Sequence, residues 1–153
     1  MVRKCIIAML LVLTAAGCAS YHKELDTNPP YSGHHFRYYD LEITWRSERQ
    51  GDGVLRLAGT VNNLRSDYLW DMELTARLVD RDEKVFVRQT YDDFPTYLAP
   101  GKPEPFQMEF RLPPGTQPER IRFSYYYWPV EAPPRFKGEV GDIPVFGSFE
   151  APP

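Results

Sequence analysis

Apolar and polar side chains alternate along most of the chain after Phe36. This period of two residues is typical of β-strands that bury one face. The clearest alternation lies at 70–78. Further alternating stretches lie at 41–45, 55–61, 85–91, 106–112, 121–127 and 143–149. Residues 18–153 contain no stretch with convincing helical spacing. The pattern therefore predicts an all-β domain.

Turn-forming residues separate the predicted strands at intervals of about ten residues. The turns at 51–53, 80–83 and 113–115 are rich in Gly, Asp and Pro. Six or seven short strands with this spacing predict an immunoglobulin-like antiparallel β-sandwich. A small closed barrel is the alternative.

Large apolar side chains within these strands form the predicted core, and each contributes about 1.5–3 kcal/mol when fully buried. The two cysteines, Cys5 and Cys18, both precede the predicted strands, so apolar packing has to hold the sheets together without a disulfide. We expect seven side chains to anchor this core: Trp70, Met72, Leu74, Phe106, Phe110, Ile121 and Phe123.

The stretch 85–91 has apolar and polar side chains on both of its faces. A mixed pattern of this kind is typical of an edge strand, which has a sheet neighbour on one side only. We therefore expect this strand to be a place where a partner strand can dock by β-augmentation.

The first seventeen residues have the layout of a secretory signal peptide. Arg3 and Lys4 are basic, 5–14 is almost wholly apolar, and small residues occupy 15–17. The apolar run is shorter than the roughly 20 residues that span a bilayer. The alternative is a short buried helix, but such a helix would need a polar face, which this run lacks.

Residues 15–18, Ala-Ala-Gly-Cys, resemble the lipobox of bacterial lipoproteins, in which small residues precede an obligatory cysteine. The resemblance implies a diacylglyceryl group on the Cys18 thiol and cleavage just before Cys18. Ordinary cleavage nearby is the alternative, because Ala15 stands where the box usually has Leu. Ala19 and Ser20 follow, and the absence of Asp there is similar to lipoproteins sorted to the outer membrane of Gram-negative hosts.

The chain is thus divided into a signal peptide at 1–17, a lipidated N-terminus and tether at 18–35, a β-sandwich at 36–129 and a Pro/Gly-rich segment at 130–153. The last segment has a possible final strand that packs on the sandwich. Loss of two basic residues with the signal takes the net charge from −3 to −5. An acidic domain argues against nucleic acid as a partner and leaves anchoring in a bilayer to the acyl chains.

Three short motifs follow one another in the strands and turns. Residues 57–63 (LAGTVNN) contain G-x-V-x-N, 74–80 (LTARLVD) end a strand with Leu-x-Asp, and 97–101 (YLAPG) precede Phe106. This order resembles the FxLYD-type domains and related immunoglobulin-like modules of exported bacterial proteins, over about residues 54–128. The resemblance implies an extracytoplasmic β-sandwich and brings no catalytic residues.

The three histidines, His22, His34 and His35, lie in or beside the predicted tether. A zinc site needs three or four ligands that converge from a rigid frame. Adjacent residues of an extended chain point to opposite sides, so His34 and His35 do not converge. We expect all three side chains to be solvated.

Acidic residues cluster at 80–83 and 92–93, both in predicted loops. Calcium needs six to eight oxygen ligands, and we expect exposed hairpin acids, with weak metal binding as the alternative. The chain has no Gly-x-Ser-x-Gly motif and no phosphate-binding loop. We therefore predict neither a catalytic residue, nor a metal, nor a cofactor.

Aromatic residues are the unusual feature of the predicted domain. In the run 125–128, Tyr126 and Trp128 face outward if Ile121 and Phe123 face the core. With Tyr38 and Trp45 they would form a binding surface, since exposed Tyr and Trp favour interfaces and sugar stacking. The arrangement that we favour instead is that the C-terminal segment covers these rings with the following side chains: Phe136, Val145, Phe146 and Phe149.

Together these features predict a membrane-anchored, non-enzymatic lipoprotein of the cell envelope that acts as a protein-interaction or assembly accessory module. Its partners would be the bilayer, through acylated Cys18, and an envelope protein. The alternative is a carbohydrate- or cell-wall-binding module that uses its exposed Tyr and Trp side chains.

Overall fold

The computed structural model describes residues 33–131 and 143–153. Residues 1–17, which form the predicted signal peptide, and Cys18, His22 and Phe136 lie outside these ranges, so the predictions about them stay predictions. The described residues form nine strands in two antiparallel sheets, which makes the domain a β-sandwich, as predicted. No α-helix occurs in 33–131 or 143–153, and a short 3-10 turn, Gly51–Gly53, joins two strands.

The first sheet has four strands and the second has five. The first contains, in spatial order, β1 (His35–Arg37), β2 (Leu41–Gln50), β3 (Val54–Asn63) and β7 (Glu104–Arg111). The second contains β5 (Val85–Tyr91), β4 (Tyr68–Val79), β8 (Arg120–Val130) and β9 (Val145–Ala151), with the short β6 (Tyr97–Leu98) paired to β4.

Seven of these strands were predicted, and β5 is an edge strand as expected. The strands β1 and β6 were missed because three and two residues are too few to show an alternation. The first strand begins at His35, which pairs with Thr44, so the sheet starts one residue before the predicted start of the sandwich at 36.

The predicted end of β8 at Trp128 and Pro129 is also wrong, because the strand continues to Val130. Proline lacks the N–H that a strand with two neighbours needs. The pairing of β8 with β9 ends at Tyr127, so among the described strands Pro129 has a neighbour only on the β4 side. At that position β8 is an edge, where proline is tolerated.

The core lies between the sheets and contains an aromatic stack. Phe149 packs face to face on Phe36, with ring centroids 4.1 Å apart, and on Phe123, at 4.7 Å. Six of the seven predicted anchors are buried there, and the exception is Trp70. Gly147 makes room for a further ring, because a Cβ atom at this position would lie 2.4 Å from the Tyr125 hydroxyl.

A buried asparagine fastens the loop after β3 to the turn after β6. The Asn63 side-chain amide donates to the carbonyls of Asp67, at 2.7 Å, and Leu98, at 3.0 Å. Its side-chain oxygen accepts from the Arg65 N–H at 2.9 Å, and its own carbonyl accepts from the Gly101 N–H at 2.8 Å. The residues 63 and 97–101, which carry the resemblance to exported modules, thus meet in space.

Candidate functional site

The outer face of the five-stranded sheet is ordered in rows that run across β5, β4, β8 and β9. The strand register defines two rows of polar side chains. The arginine row is Arg88, Arg77 and Arg122, followed by Glu150. The hydroxyl row beside it is Thr90, Thr75, Ser124 and Ser148.

The third feature of this face is an aromatic patch, made of Trp70, Tyr126, Trp128 and Phe146. Tyr126 and Phe146 are register partners on β8 and β9, and Trp70 and Trp128 are partners on β4 and β8. All four rings are partly or largely accessible, with Phe146 38 % exposed. The predicted outward direction of Tyr126 and Trp128 is therefore confirmed.

A β-bulge turns Trp70 into this patch, so its predicted burial in the core is wrong. The register between β4 and β8 shifts between Trp70 and Glu73, and Asp71 has a positive φ of 57°. The extra residue reverses which side chains face inward. Leu69 and Met72 are both buried although they are three positions apart, and Trp70 faces out between them.

The patch rings are tilted against one another. Trp70 and Trp128 have centroids 6.3 Å apart and an interplanar angle of 49°. Tyr126 and Trp128 are also 6.3 Å apart, at 86°. This edge-to-face arrangement is a favourable aromatic geometry. It does not form a flat platform of coplanar rings.

The other two predicted surface aromatics do not join this patch. Trp45 is only 4 % exposed and packs in the core against Phe123 and Phe149, at 5.1 and 5.3 Å, so its predicted place on the surface is wrong. Tyr38 is 55 % exposed, as expected, but it lies in the turn between β1 and β2, beside Tyr39 and on the other sheet.

Residues 145–151 extend the sheet instead of lying across it. Val145 pairs with Tyr127 at the start of β9, and Phe149 points into the core. Phe146 enlarges the patch beside Tyr126. For these three C-terminal residues, the predicted covering arrangement is wrong, because main-chain pairing with β8 places them alongside the rings of that strand.

One end of the face carries a neutral network of two arginines and two glutamates. Glu150, only 6 % exposed, accepts from Arg122 at 2.7 Å and from Arg120 at 3.0 Å. Glu83 pairs with Arg120 and lies 3.3 Å from Arg122. Each charge here has an opposite partner, which is what makes burial of the Glu150 carboxylate tolerable.

Arg77 and Arg88 are different, because neither forms an ion pair with a residue of 33–131 or 143–153. Arg77 donates to the Ser124 hydroxyl at 2.8 Å, and it is the register partner of both Arg88 and Arg122. Burial lowers the pKa of Arg77, and the positive charges of Arg88 and Arg122 lower it further. The arginine row thus holds an excess of positive charge at its β5 end.

Within the hydroxyl row, Thr75 and Thr90 form a hydrogen bond of 2.8 Å, and Thr75 is buried. The Ser148 hydroxyl is also enclosed, and it has no hydrogen-bond partner in the described part of the chain. A row of hydroxyl groups beside guanidinium groups offers several donors to a bound anion or carboxylate.

A buried acid and a buried tyrosine meet between the sheets, a pair that sequence reasoning missed. The Tyr127 hydroxyl donates to the Asp40 carboxylate, and both residues are buried. Burial raises the pKa of Tyr127, and the hydrogen bond to Asp40 raises it further. The two residues lie 87 positions apart, and their bond joins the bend just before β2 to β8 across the core.

The predicted metal-ligand candidates in the described ranges lie apart from one another. His35 pairs with Glu42 at 3.0 Å, and His34 packs on the Trp45 ring. The Asp80 carboxylate accepts the N–H groups of Asp82 and Lys84, both at 2.9 Å, and so shapes the β4–β5 turn. The residues of 33–131 and 143–153 hold no group of three or more His, Cys, Asp or Glu placed to bind a metal ion.

Those residues also contain no helix that is long and apolar enough to cross a bilayer. Neither a scan against models of protein families nor a search of curated proteins finds a match to this chain.

Proposed function

We propose that this protein is a membrane-anchored, non-enzymatic lipoprotein of the cell envelope, whose β-sandwich acts as a protein-interaction or assembly accessory module. The anchor would be an acylated Cys18, on the outer membrane facing the periplasm in a Gram-negative host. The apolar run at 5–14 and the small residues before Cys18 support this anchor. Two or more acyl chains would hold the domain far more firmly than the marginal binding of one chain.

The observation that carries the interaction role is the composition of one face. Trp70, Trp128 and the arginine row lie together on the outer side of the five-stranded sheet. Trp, Tyr and Arg are the residues enriched in the energetic centres of protein interfaces. The face also combines apolar area with positive charge that has no acidic partner in the described part of the chain, and this combination suits a partner that carries acidic side chains.

The ring geometry favours a protein partner over a glycan. A sugar ring stacks on an exposed aromatic face, and a longer glycan needs several faces in one plane. The interplanar angles of 49° and 86° around Trp128 present edges and faces alternately. Such a patch suits apolar side chains of irregular shape better than flat sugar rings.

The anchor is tested by comparing Cys18→Ala with Cys5→Ala as the matched control. We expect Cys5→Ala protein to remain in the membrane fraction and Cys18→Ala protein to lose its acyl mass and enter the soluble fraction. Mass spectrometry of the mature wild-type chain should find an acylated Cys18 at its N-terminus. Membrane retention of Cys18→Ala, or a mature chain without acyl mass at residue 18, would contradict the proposal.

The interaction role is tested by photo-crosslinking in intact cells. A photoreactive residue at position 128 is compared with one at Gln107, which lies on the outer face of the four-stranded sheet. We expect position 128 to give a discrete protein adduct and position 107 to give none. Adducts to polysaccharide alone, or equal adducts from both positions, would count against a protein-binding face.

A further inference from the structure

The strand β5 has an unpaired edge within the described part of the chain, and it lies close to β7 of the other sheet without pairing to it. Its main chain pairs with β4 on one side, and no other described strand pairs with its second side. The N–H and C=O groups of every second β5 residue point away from β4, toward that second side. Such an edge accepts an added strand, and main-chain hydrogen bonds then give the affinity.

The arginine row ends at this edge. Read across the sheet, the row begins with Arg88 on β5, continues with Arg77 and Arg122, and closes at β9 with Glu150. Glu150 neutralises the β9 end through its 2.7 Å contact with Arg122. A strand added beside β5 would place one of its own side chains next to Arg88, at the end of the row where no described residue supplies an acid.

A second copy of the chain is a poor occupant of this edge. Arg88 is the central residue of the seven-residue strand, so antiparallel pairing of two β5 strands about their centres would set Arg88 against Arg88. Like charges placed directly opposite each other destabilise a strand pair. An exposed charge at the middle of an edge strand is also a common device against self-association.

We propose that β5 binds an extended segment of a partner protein that carries an Asp or Glu in register with Arg88. This inference rests on the proposed function and specifies the partner's chemistry. The carboxylate accepts hydrogen bonds from Arg88 and lowers the repulsion between Arg88 and Arg77. The row then runs from the partner's acid to Glu150, across the partner strand, β5, β4, β8 and β9. The side chain two positions along the partner strand lies beside Thr90.

The test uses the full mature chain in detergent and two synthetic peptides of alternating Thr and Val. One peptide has a single central Glu, and the other has Gln in its place. We expect the Glu peptide to bind about 1.5-fold to fivefold more tightly at low salt, as a partly exposed charge pair allows. The backbone amide signals of 85–91 should shift on binding in NMR spectra.

Two variants locate the effect. Arg88→Gln should abolish the preference for Glu over Gln, and Arg46→Gln, which removes an exposed arginine from the outer face of the other sheet, should keep it. Equal affinities for the two peptides, no binding of either at millimolar concentration, or a preference that survives Arg88→Gln would overturn the inference.

The free chain provides one more outcome. If the amides on the free side of β5 are already protected from hydrogen exchange without peptide, a segment of the chain itself occupies the edge and the inference is wrong. Failure here is distinguishable from failure of the proposed function, because crosslinking at position 128 and acylation of Cys18 do not depend on the β5 edge.

Discussion

Two groups of aromatic rings lie on opposite sides of the same sheet. Between the sheets, Trp45, Phe123 and Phe149 pack with centroids about 5 Å apart and are almost fully buried. On the outer face, Trp70 and Trp128 pack at 6.3 Å and stay partly accessible. The same residue type therefore holds the fold together in one place and forms a candidate contact surface in the other.

The difference between these groups comes from strand parity. Successive side chains of a strand point to opposite faces, so one residue more or less decides where a ring lies. Tyr126 and Tyr127 are neighbours in β8, and only Tyr127 is fully buried. The bulge at Asp71 shifts the parity of β4 and moves Trp70 out of the core.

The largest expected effect is the difference in folding stability between removing a core ring and removing an outer ring. Trp45→Ala should lower the free energy of unfolding by about 3–5 kcal/mol, because it leaves a cavity in a packed core. Trp128→Ala removes a partly accessible ring and should cost about 1 kcal/mol or less. Urea denaturation of both variants measures the difference. Equal losses would mean that the outer patch is as structural as the core.

The next effect contrasts the neighbouring tyrosines. Tyr127→Phe should destabilise the domain by about 1–3 kcal/mol at neutral pH, because it leaves the buried Asp40 carboxylate without its donor. Tyr126→Phe, its matched control on the outer face, should change stability by under about 1 kcal/mol. A Tyr127→Phe variant as stable as the wild type would show that the Asp40 contact adds nothing to the fold.

The same tyrosine gives the core a dependence on alkaline pH. An unfolded tyrosine has a pKa of about 10, and burial followed by the bond to Asp40 raises the pKa of Tyr127 in the folded state. The unfolded chain therefore loses this proton first, so the stabilisation is complete below pH ~10 and falls as the pH rises above it.

For one tyrosine the slope of this loss is at most about 1.4 kcal/mol per pH unit. Unfolding free energies measured between pH 9 and 11 should fall more steeply for the wild type than for Tyr127→Phe. Parallel curves for the two proteins would contradict the expected linkage.

The smallest effect concerns the outer face alone. Arg88→Gln removes a like charge beside Arg77 and should stabilise the domain by about 0.5 kcal/mol or less at low salt. The gain should vanish at 1 M salt, because screening already weakens the repulsion. Arg46→Gln is the control on the four-stranded sheet. A gain in stability of the same size there would contradict the claim that repulsion within the arginine row causes the effect.

Alternation predicted the fold class, seven strands and most of the core, because it depends only on neighbouring residues. Trp45 has the same strand parity as Leu41 and Ile43, so the alternation points it inward, against its predicted place on the surface. The inward prediction for Trp70 failed for another reason. The bulge depends on a positive φ at Asp71, a position where the sequence has no glycine to signal it.

The arginine row and the Asp40–Tyr127 contact could not be predicted from the sequence. Both depend on which residues of distant strands lie opposite each other. Arg77 and Arg122 become partners only through the register of β4 with β8. Along the chain, the strands β5, β6 and β7 lie between β4 and β8. Local patterns carry no information about that register, although they do indicate which residues face outward.

The division of the rings between core and outer face can be measured through the three tryptophans, Trp45, Trp70 and Trp128. Three variants that each keep one tryptophan and replace the other two by Phe allow acrylamide quenching to be compared ring by ring. Emission from Trp70 and Trp128 should be quenched several-fold more efficiently than emission from Trp45. Similar quenching of all three, or a Trp70 as shielded as Trp45, would contradict the bulge and the outer aromatic patch.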